Sequence, residues 1–377
     1  MSEQQASTSA PSHASAPTVS LLVPIYNVER YLRACLESAA SQTLVDIEIV
    51  CIDDGSTDGS RTIIEEFCAR DSRFRLISKA NSGYGDSMNR GLAMARGTYI
   101  GVLESDDIML PSALEALVNA AERMDAQLAK GSFDFYWSKP DERRKRCELF
   151  PPVGCNKPVR PRDDASVFHL KPSIWSAIYR RDFLGEHAIR FLPTPGAGFQ
   201  DTSFSFKAFA CAERAVYVSD TIVLYRQDNE ASSINSDAKI SCVQGEYTEI
   251  ERWLAEDFAP AYGYDEAARL LRIALSAKYD SYMWSYVRLA PRFRAAFLER
   301  MADEYRASLD AGEFSLDDLK LWKRANLEGI LADPDAWERD NAAYASAGAL
   351  GRAWHYLKLG GIPLLAAYAK SRLRHEV

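Results

Sequence analysis

Between Val19 and Val102, apolar positions fall into two alternating rhythms. "VSLLVPIYN", Val19 to Asn27, is a nearly continuous apolar run, and it ends in Pro and a turn-prone Asn. In the segment that follows, Val28, Leu32, Cys35, Leu36 and Ala39 recur at helical spacing. A second apolar run, Ile47 to Ile52, is broken by Asp53-Asp54-Gly55. Ile63, Ile64, Phe67 and Cys68 then form a second helical stripe. "FRLISKA" predicts a third strand, "GDSMNRGLAMARG" a third helix and "TYIGVLE" a fourth strand. Strands and helices alternating at this spacing predict right-handed βαβ units and a parallel sheet covered on both faces.

The later pattern is less regular. "PSALEALVNAAERM" predicts a helix, "QLAKGSFDFYW" a strand running into a loop, and "DERRKRC" a solvated loop or hairpin tip. "GFQDTSFSFKAFACAE" predicts an amphipathic helix with Asp201 near its start, and "AVYVSDTIVLYR" a pair of strands joined by a turn. From about Ile240 onward the spacing is mostly helical. The last segment mixes Trp354, Tyr356, Leu357, Ile362, Leu364 and Leu365 with Arg352, Lys358, Lys370, Arg372 and Arg374. That composition suits either an interfacial helix on a membrane surface or a helix packed on the domain.

Composition narrows the function classes. The chain has 377 residues, 47% hydrophobic and 26% charged, enough for one large or two ordinary globular domains. A formal net charge of −8 speaks against a broad nucleic-acid-binding face. The seven cysteines contain no C-x-x-C pair, which points to reduced thiols rather than a disulfide framework or zinc site. The first 18 residues are rich in Ser, Ala and Pro. They lack a basic, apolar leader pattern and read as a disordered tail. With no apolar run long enough to span a bilayer, the expected location is cytoplasmic.

The candidate chemistry sits at the strand ends. A parallel sheet binds ligands beyond the carboxyl ends of its strands. Three of those ends carry Tyr26-Asn27, Asp53-Asp54 and Glu104-Ser105-Asp106-Asp107. Neither G-x-G-x-x-G after the first strand nor G-x-x-x-x-G-K-[ST] occurs, which argues against a NAD enzyme or a P-loop NTPase. Clustered carboxylates instead suit Mg²⁺ or Mn²⁺ bridging to phosphate oxygens. The ion would also relieve the repulsion among neighbouring acids.

Together, "VSLLVPIYNVERYLRACLESAASQT", "DIEIVCIDDGSTDGS" and "NSGYGDSMNRGLAMARGTYIGVLESDD" resemble the successive blocks of the family 2 glycosyltransferases of bacterial cell-surface polysaccharide synthesis. The resemblance covers Val19 to Ser236. It implies a GT-A fold, a Rossmann-like, mostly parallel sheet with helices on both faces, over residues 19–236; the spacing, not the resemblance, makes the remainder, 237–377, a mainly helical region. It also implies an inverting, metal-dependent hexosyl transfer from a nucleotide-sugar, usually a UDP-sugar, to a glycan or lipid-linked acceptor.

By the same resemblance, Pro24, Tyr26, Asn27 and Glu29 line the base pocket, and Asp53 and Asp54 meet the base. Asn81 and Asn89 touch the ribose or sugar. Glu104, Ser105, Asp106 and Asp107 take the D-x-D position, with Glu104, Asp106 and Asp107 as metal ligands and Ser105 and Asp106 also on the donor. Family members most often have Asp where this chain has Glu104, so Asp106 and Asp107 lead the expected ligand set. In "TPGAGFQDTSFSFK" many members carry Glu-Asp, the Asp serving as catalytic base; this chain has Gln200-Asp201. Read alone, Asp201 fits a helix N-cap as well.

His169, Trp175 and Gln200 are acceptor-side candidates; core packing and a structural histidine are the competing readings for Trp175 and His169. Arg180 and Arg181 read as a solvated face or as phosphate contacts, and Tyr225 and Arg226 as groups that order the active-site lid or meet the diphosphate. Two rivals use the same residues differently. A sugar nucleotidyltransferase would carry a Gly-rich basic loop after the first strand, which "PIYNVERYL" lacks. A non-catalytic carbohydrate-binding protein would have no need of Asp54, Asp106, Asp107 and Asp201 together.

Overall fold

A computed structural model of the chain describes residues 16–229, 242–346 and 348–373. The boundary expected at Ser236 and the first 15 residues of the expected tail lie outside the described residues.

Strand β1 (Val19–Ile25) is buried at every position, as is β2 (Ile47–Asp53). Both faces of a parallel strand are covered by helices, which is why these strands read as unbroken apolar runs. Helix α1 (Glu29–Ala40) links them, α2 (Ser60–Arg70) leads to β3 (Phe74–Ser78), and α3 (Tyr84–Met94) leads to β4 (Tyr99–Val102). The sheet continues through β5 (Ile108–Met109), β6 (Leu128–Trp137), β7 (Arg143–Cys147), β8 (Pro158–Val159), β9 (Ala177–Arg180) and β10 (Ala215–Arg226), with helices α4 (Ala113–Met124) and α5 (Arg181–Glu186) in the connections. The strand order is β3-β2-β1-β4-β9-β6-β10-β5, with β7 on β6 and β8 on β10. Strands β1 to β4 are mutually parallel where they pair, and β9 runs antiparallel between β4 and β6. The order reverses at β1, which lies between β2 and β4, so a crevice opens beyond the ends of β1 and β4.

Three details depart from the sequence pattern. "AVYVSDTIVLYR" is one 12-residue strand, and the polar Ser219-Asp220 dent is absorbed as a register shift against β6. The basic run forms strand β7, paired antiparallel with β6, with its charges exposed along the edge. Helix α6 (Asp201–Cys211) is not amphipathic: Ser203 through Cys211 are all buried, because the helix is enclosed by the helix Cys242–Trp253, the short turns at 161–163 and 165–169, and Tyr179 of β9, which meets Phe204.

The region after residue 242 is helical, as the spacing predicts. One apolar core runs from Val19 in β1 to Trp337 in the helix Pro334–Ser346. The final helix, Gly348–Leu373, is broken at Gly360 and Gly361. Its two arms fold together, with Tyr356 stacked on Tyr368 at 4.0 Å and both rings edge-on to Trp322.

Candidate active site

The crevice beyond β1 and β4 is a cleft of about 660 Å³. Its wall includes Pro24, Tyr26, Asn27, Glu29, Asp54, Asn81, Glu104, Ser105 and Asp106 from the expected set, joined by Tyr31, Tyr84, Gly196 and Asn229. Tyr26 stands 51% exposed at the mouth, an apolar face available to a planar ring.

Polar clamps hold the loops of this wall. Asn27 adopts φ 49°, a left-handed conformation that Asn tolerates. Its side-chain oxygen accepts from Thr57 N at 2.7 Å, and the Glu29 carboxylate accepts from Gly59 N. The loop after β1 is thus tied to the loop after β2. Asp53 turns inward to accept from Ser56 N at 2.9 Å and is not part of the wall. Asp54 accepts from Ser82 N and Gly83 N at 2.9 and 3.0 Å and pairs with Lys79. This carboxylate anchors the start of α3, as an anion at a helix N-terminus should.

Gly83 and Gly85 have a packing role. The loop 192–197 runs so close that a Cβ on Gly85 would lie 2.0 Å from the Leu192 carbonyl oxygen, and Gly83 sits at φ 99°. Asn89 belongs to the same contact: it donates to Phe191 O at 2.8 Å and accepts from Phe191 N at 3.0 Å. It staples this loop and does not face the cleft, contrary to the sugar contact expected of it.

The acidic run divides by direction. A turn closed by Asp107 N to Glu104 O at 3.0 Å points Glu104 and Asp106 into the cleft and buries Asp107. One Asp107 oxygen accepts from Arg226 N at 2.8 Å; the other is buried with no partner. The expected ranking is therefore reversed, with Glu104 in the cleft and Asp107 behind it. Arg226 is 7% exposed and fastens this turn, donating to Asp106 O, to Ser138 Oγ and to Asp228. Its place is under the site rather than against a diphosphate.

Glu104 accepts from the Tyr84 hydroxyl at 2.7 Å. Burial pushes its carboxyl up to about 8; the Tyr84 bond opposes this, and Asp106 and Asp201 add to it. A site that holds an unneutralised cluster of acids in this way suits a cation. Among the described residues no three candidate ligands converge on one point. Two carboxylates supplemented by ligand oxygens are nevertheless the usual provision for Mg²⁺.

Asp201 opens α6. Burial pushes it up to about 6, opposed by the Lys171 and Lys130 ammonium groups and by backbone N–H donors. The loop before it is stretched. Phe199 sits at φ 65°, a costly conformation for a bulky residue. Gln200, 2% exposed, accepts from Gly198 N at 2.6 Å and donates to Thr194 Oγ1 at 2.9 Å.

The remaining acceptor-side candidates are structural here. Trp175 is 4% exposed and stacks on Tyr225 at 4.9 Å. His169 bonds to Asp280 at 3.0 Å, tying the domain to the helix Tyr264–Tyr286. Arg180 pairs with Asp182 and Asp125, and Arg181 donates to Gly97 O, both beside the start of β4, at the opposite end of the strands from the cleft. Sequence reasoning missed Tyr84. Its only signal was an aromatic residue between two glycines of a tight helix start.

Comparison with known proteins follows the same outline. Residues 20–186 match the model of glycosyl transferase family 2. An uncharacterized glycosyltransferase EpsJ of Bacillus subtilis is 32% identical over 56% of this chain and 62% of its own length. The chondroitin synthase of Escherichia coli is 42% identical over 30% of the chain and 16% of its own length. The chain thus spans less than two thirds of these relatives. The crystal structure of S. aureus TarS 1-349 superposes with a TM-score of 0.65 at 18% identity, covering 88% of this chain and 92% of that one. A second structure of that protein, in complex with UDP-GlcNAc, superposes with a TM-score of 0.64. The fold is GT-A, with a helical region following it.

Proposed function

Residues 20–186 belong to glycosyl transferase family 2, and from that premise we propose that the chain moves a sugar, with inversion, from a UDP-sugar to a hydroxyl of a glycan or lipid-linked acceptor in cell-surface polysaccharide synthesis. The observation that carries this reading is the cleft at the strand-order reversal, where Tyr26, Asp54, Glu104 and Asp106 meet. The UDP-GlcNAc complex of the structurally similar TarS supports a uridine donor. The catalytic domain is assigned to residues 19–236.

The chain's own residues divide the work. Tyr26 offers a stacking face to the base, and Asp54 and Asn81 offer polar groups beside it. Glu104 and Asp106 would hold Mg²⁺ or Mn²⁺ together with diphosphate oxygens, and the bound ion would supply positive charge to the leaving group. Tyr84 orients Glu104, and Arg226 fixes the turn that carries Asp106. Asp201 takes the proton from the acceptor hydroxyl as that oxygen bonds to the anomeric carbon. The bond from carbon to the nucleoside diphosphate breaks on the opposite face. The experiment is a turnover and calorimetry screen of UDP-, GDP- and dTDP-sugars with and without Mn²⁺. Binding of a UDP-sugar that requires the ion supports the proposal; ion-independent binding, or none, refutes it.

The final helix is assigned to contact with the inner face of the plasma membrane. Among the described residues no helix is long and apolar enough to cross a membrane. Leu350, Trp354 and Ile362 are exposed, at 85%, 54% and 75%, beside Arg352 and Lys358. Basic and aromatic side chains together suit an anionic lipid surface. Co-sedimentation with phosphatidylglycerol vesicles should fall on Trp354→Ser with Ile362→Ser. Equal sedimentation of the doubly substituted and unaltered proteins would remove the assignment.

A further inference from the structure

Over one face of the sheet beside Asp201 gather four cations that, among the described residues, have no carboxylate within 4.0 Å. Strand β6 pairs with β7 so that Phe135 opposes Lys145 and Trp137 opposes Arg143, and β10 places Tyr225 opposite Phe135. Directly opposed residues project to the same face. The face is therefore a row of rings, Tyr225, Phe135 and Trp137, with successive centroids 6.2 and 6.4 Å apart. All three rings are half-buried.

The cations lie along this row. The Lys171 ammonium stands 4.1 Å from the Tyr225 ring centroid and 5.9 Å from that of Phe135. The Arg143 guanidinium lies 4.1 Å above Trp137. Lys145 is exposed on the same side of β7. Across the row, Arg288 covers Trp284 at 3.6 Å, and Trp284 meets Phe199 of the loop leading to Asp201. Among the described residues, none of these four cations has a carboxylate within 4.0 Å.

Their neighbours behave differently. Arg144 and Arg146 alternate with Arg143 and Lys145 and so project to the other face. There Arg144 pairs with Glu142 at 2.9 Å, and Arg146 donates to Ser219 O. In a chain of net charge −8, acidic partners are not scarce. Like charges gathered on one face repel unless an anion joins them. Burial, together with Arg288, lowers Lys171, against the pull of Asp201, Asp107 and Cys147.

We propose that this face is the acceptor track and that the acceptor is an anionic glycan. Its phosphate or carboxylate groups meet Lys171, Lys145, Arg143 and Arg288, and its sugar rings run along the half-buried edges of Tyr225, Phe135 and Trp137, whose faces the cations and Trp175 already cover. Guanidinium groups suit phosphate and carboxylate, and ring edges give the apolar face of a sugar a surface to rest on. A glycan is favoured over nucleic acid because the track lies beside Asp201 and the protein as a whole is acidic. This inference rests on the transferase reading, and it names the class of acceptor that reading leaves open.

The test is calorimetry of the full chain, with and without saturating UDP and Mn²⁺. The titrants are a glycerol-phosphate oligomer, an oligogalacturonate, maltohexaose and an oligothymidylate. One charged glycan should bind at least about tenfold more tightly than maltohexaose and lose affinity with added salt. The better of the two distinguishes phosphate from carboxylate. Arg143→Gln with Lys145→Gln should lower that affinity about tenfold, and so should Lys171→Gln alone. Arg144→Gln with Arg146→Gln should leave it unchanged. Equal binding of maltohexaose, or equal effects of the two double substitutions, overturns the proposal, and tightest binding of the oligothymidylate replaces it with a nucleic-acid surface. Failure of UDP to bind would count against the transferase reading instead, and the arms without UDP would still decide the track.

Discussion

The two sides of the candidate site are built in opposite ways. On the donor side the loops that frame the base end of the cleft are clamped by the protein itself: Asn27, Glu29 and Asp54, with Asp53 behind the wall, hold backbone N–H groups. On the acceptor side, Lys171, Arg143 and Arg288 lie over rings, and neither they nor the exposed Lys145 have a carboxylate within 4.0 Å among the described residues. A wall of satisfied clamps gives a cleft of fixed shape, suited to one recurring ligand part such as a nucleotide. A face of unpaired cations and rings is adaptable, and its chemistry is completed by whatever binds. Under the proposed transfer, the common element of the reaction falls to β1 to β4 and the variable element to β6, β7 and β10.

The largest effect should come from the residue between the two sides. Asp201→Asn removes a base while keeping the shape of the side chain. Transfer should fall by about 10²- to 10⁴-fold, the usual contribution of a positioned base. Calorimetric affinity for the donor should be nearly unchanged. A matching loss of donor affinity would move Asp201 to the donor side and dissolve the division.

Tyr84→Phe addresses the donor wall. It removes the only protein hydrogen bond on the Glu104 carboxylate among the described residues. A hydrogen bond to a charged group is worth about 1.5–3 kcal/mol, or roughly ten- to a hundredfold in affinity. Binding of the UDP-sugar with Mn²⁺, followed by calorimetry, should weaken by that amount. Binding of charged glycans to the acceptor track should stay the same. Equal weakening of both would show that the two sides are one coupled unit.

The two sides also differed in how far the sequence revealed them. Strands β1, β2 and β4 are mostly apolar runs buried at every position, and the polar residues at their ends mark the cleft. Past β4 the cues fail for identifiable reasons. Charge density alone does not show which carboxylates a turn aims inward, so Asp107 read as a ligand and Glu104 as the doubtful one. The bulge in β10 made one strand look like two. Burial of α6 on every side disguised it as amphipathic. Tyr84 and Arg226 act across distant segments, Tyr84 with Glu104 and Arg226 with Asp106, and only the folded chain brings these pairs together. The cationic face was visible as "RRKR" but could not be separated into its two sides without knowing that the run is a strand.

The smallest effect is the most specific. Asp201 is pushed up to about 6, chiefly by burial. A base works only when ionised, so turnover should rise about tenfold per pH unit below that value and level off above it. The neighbouring Gln200 is a neutral isostere of the Glu common in the resembling family, and it staples Gly198 to Thr194. In Gln200→Glu, the oxygen that accepts from Gly198 N remains, and the Thr194 hydroxyl can rotate to donate to the other. The loop should therefore hold. The added negative charge beside Asp201 should move the rising limb up by about one pH unit and leave the plateau nearly unaltered. A limb that stays in place would mean that Gln200 only braces the loop and that its neutrality does nothing for the base. A limb that moves would mean that the neutral residue at position 200 keeps Asp201 ionised nearer neutral pH, even in its buried setting.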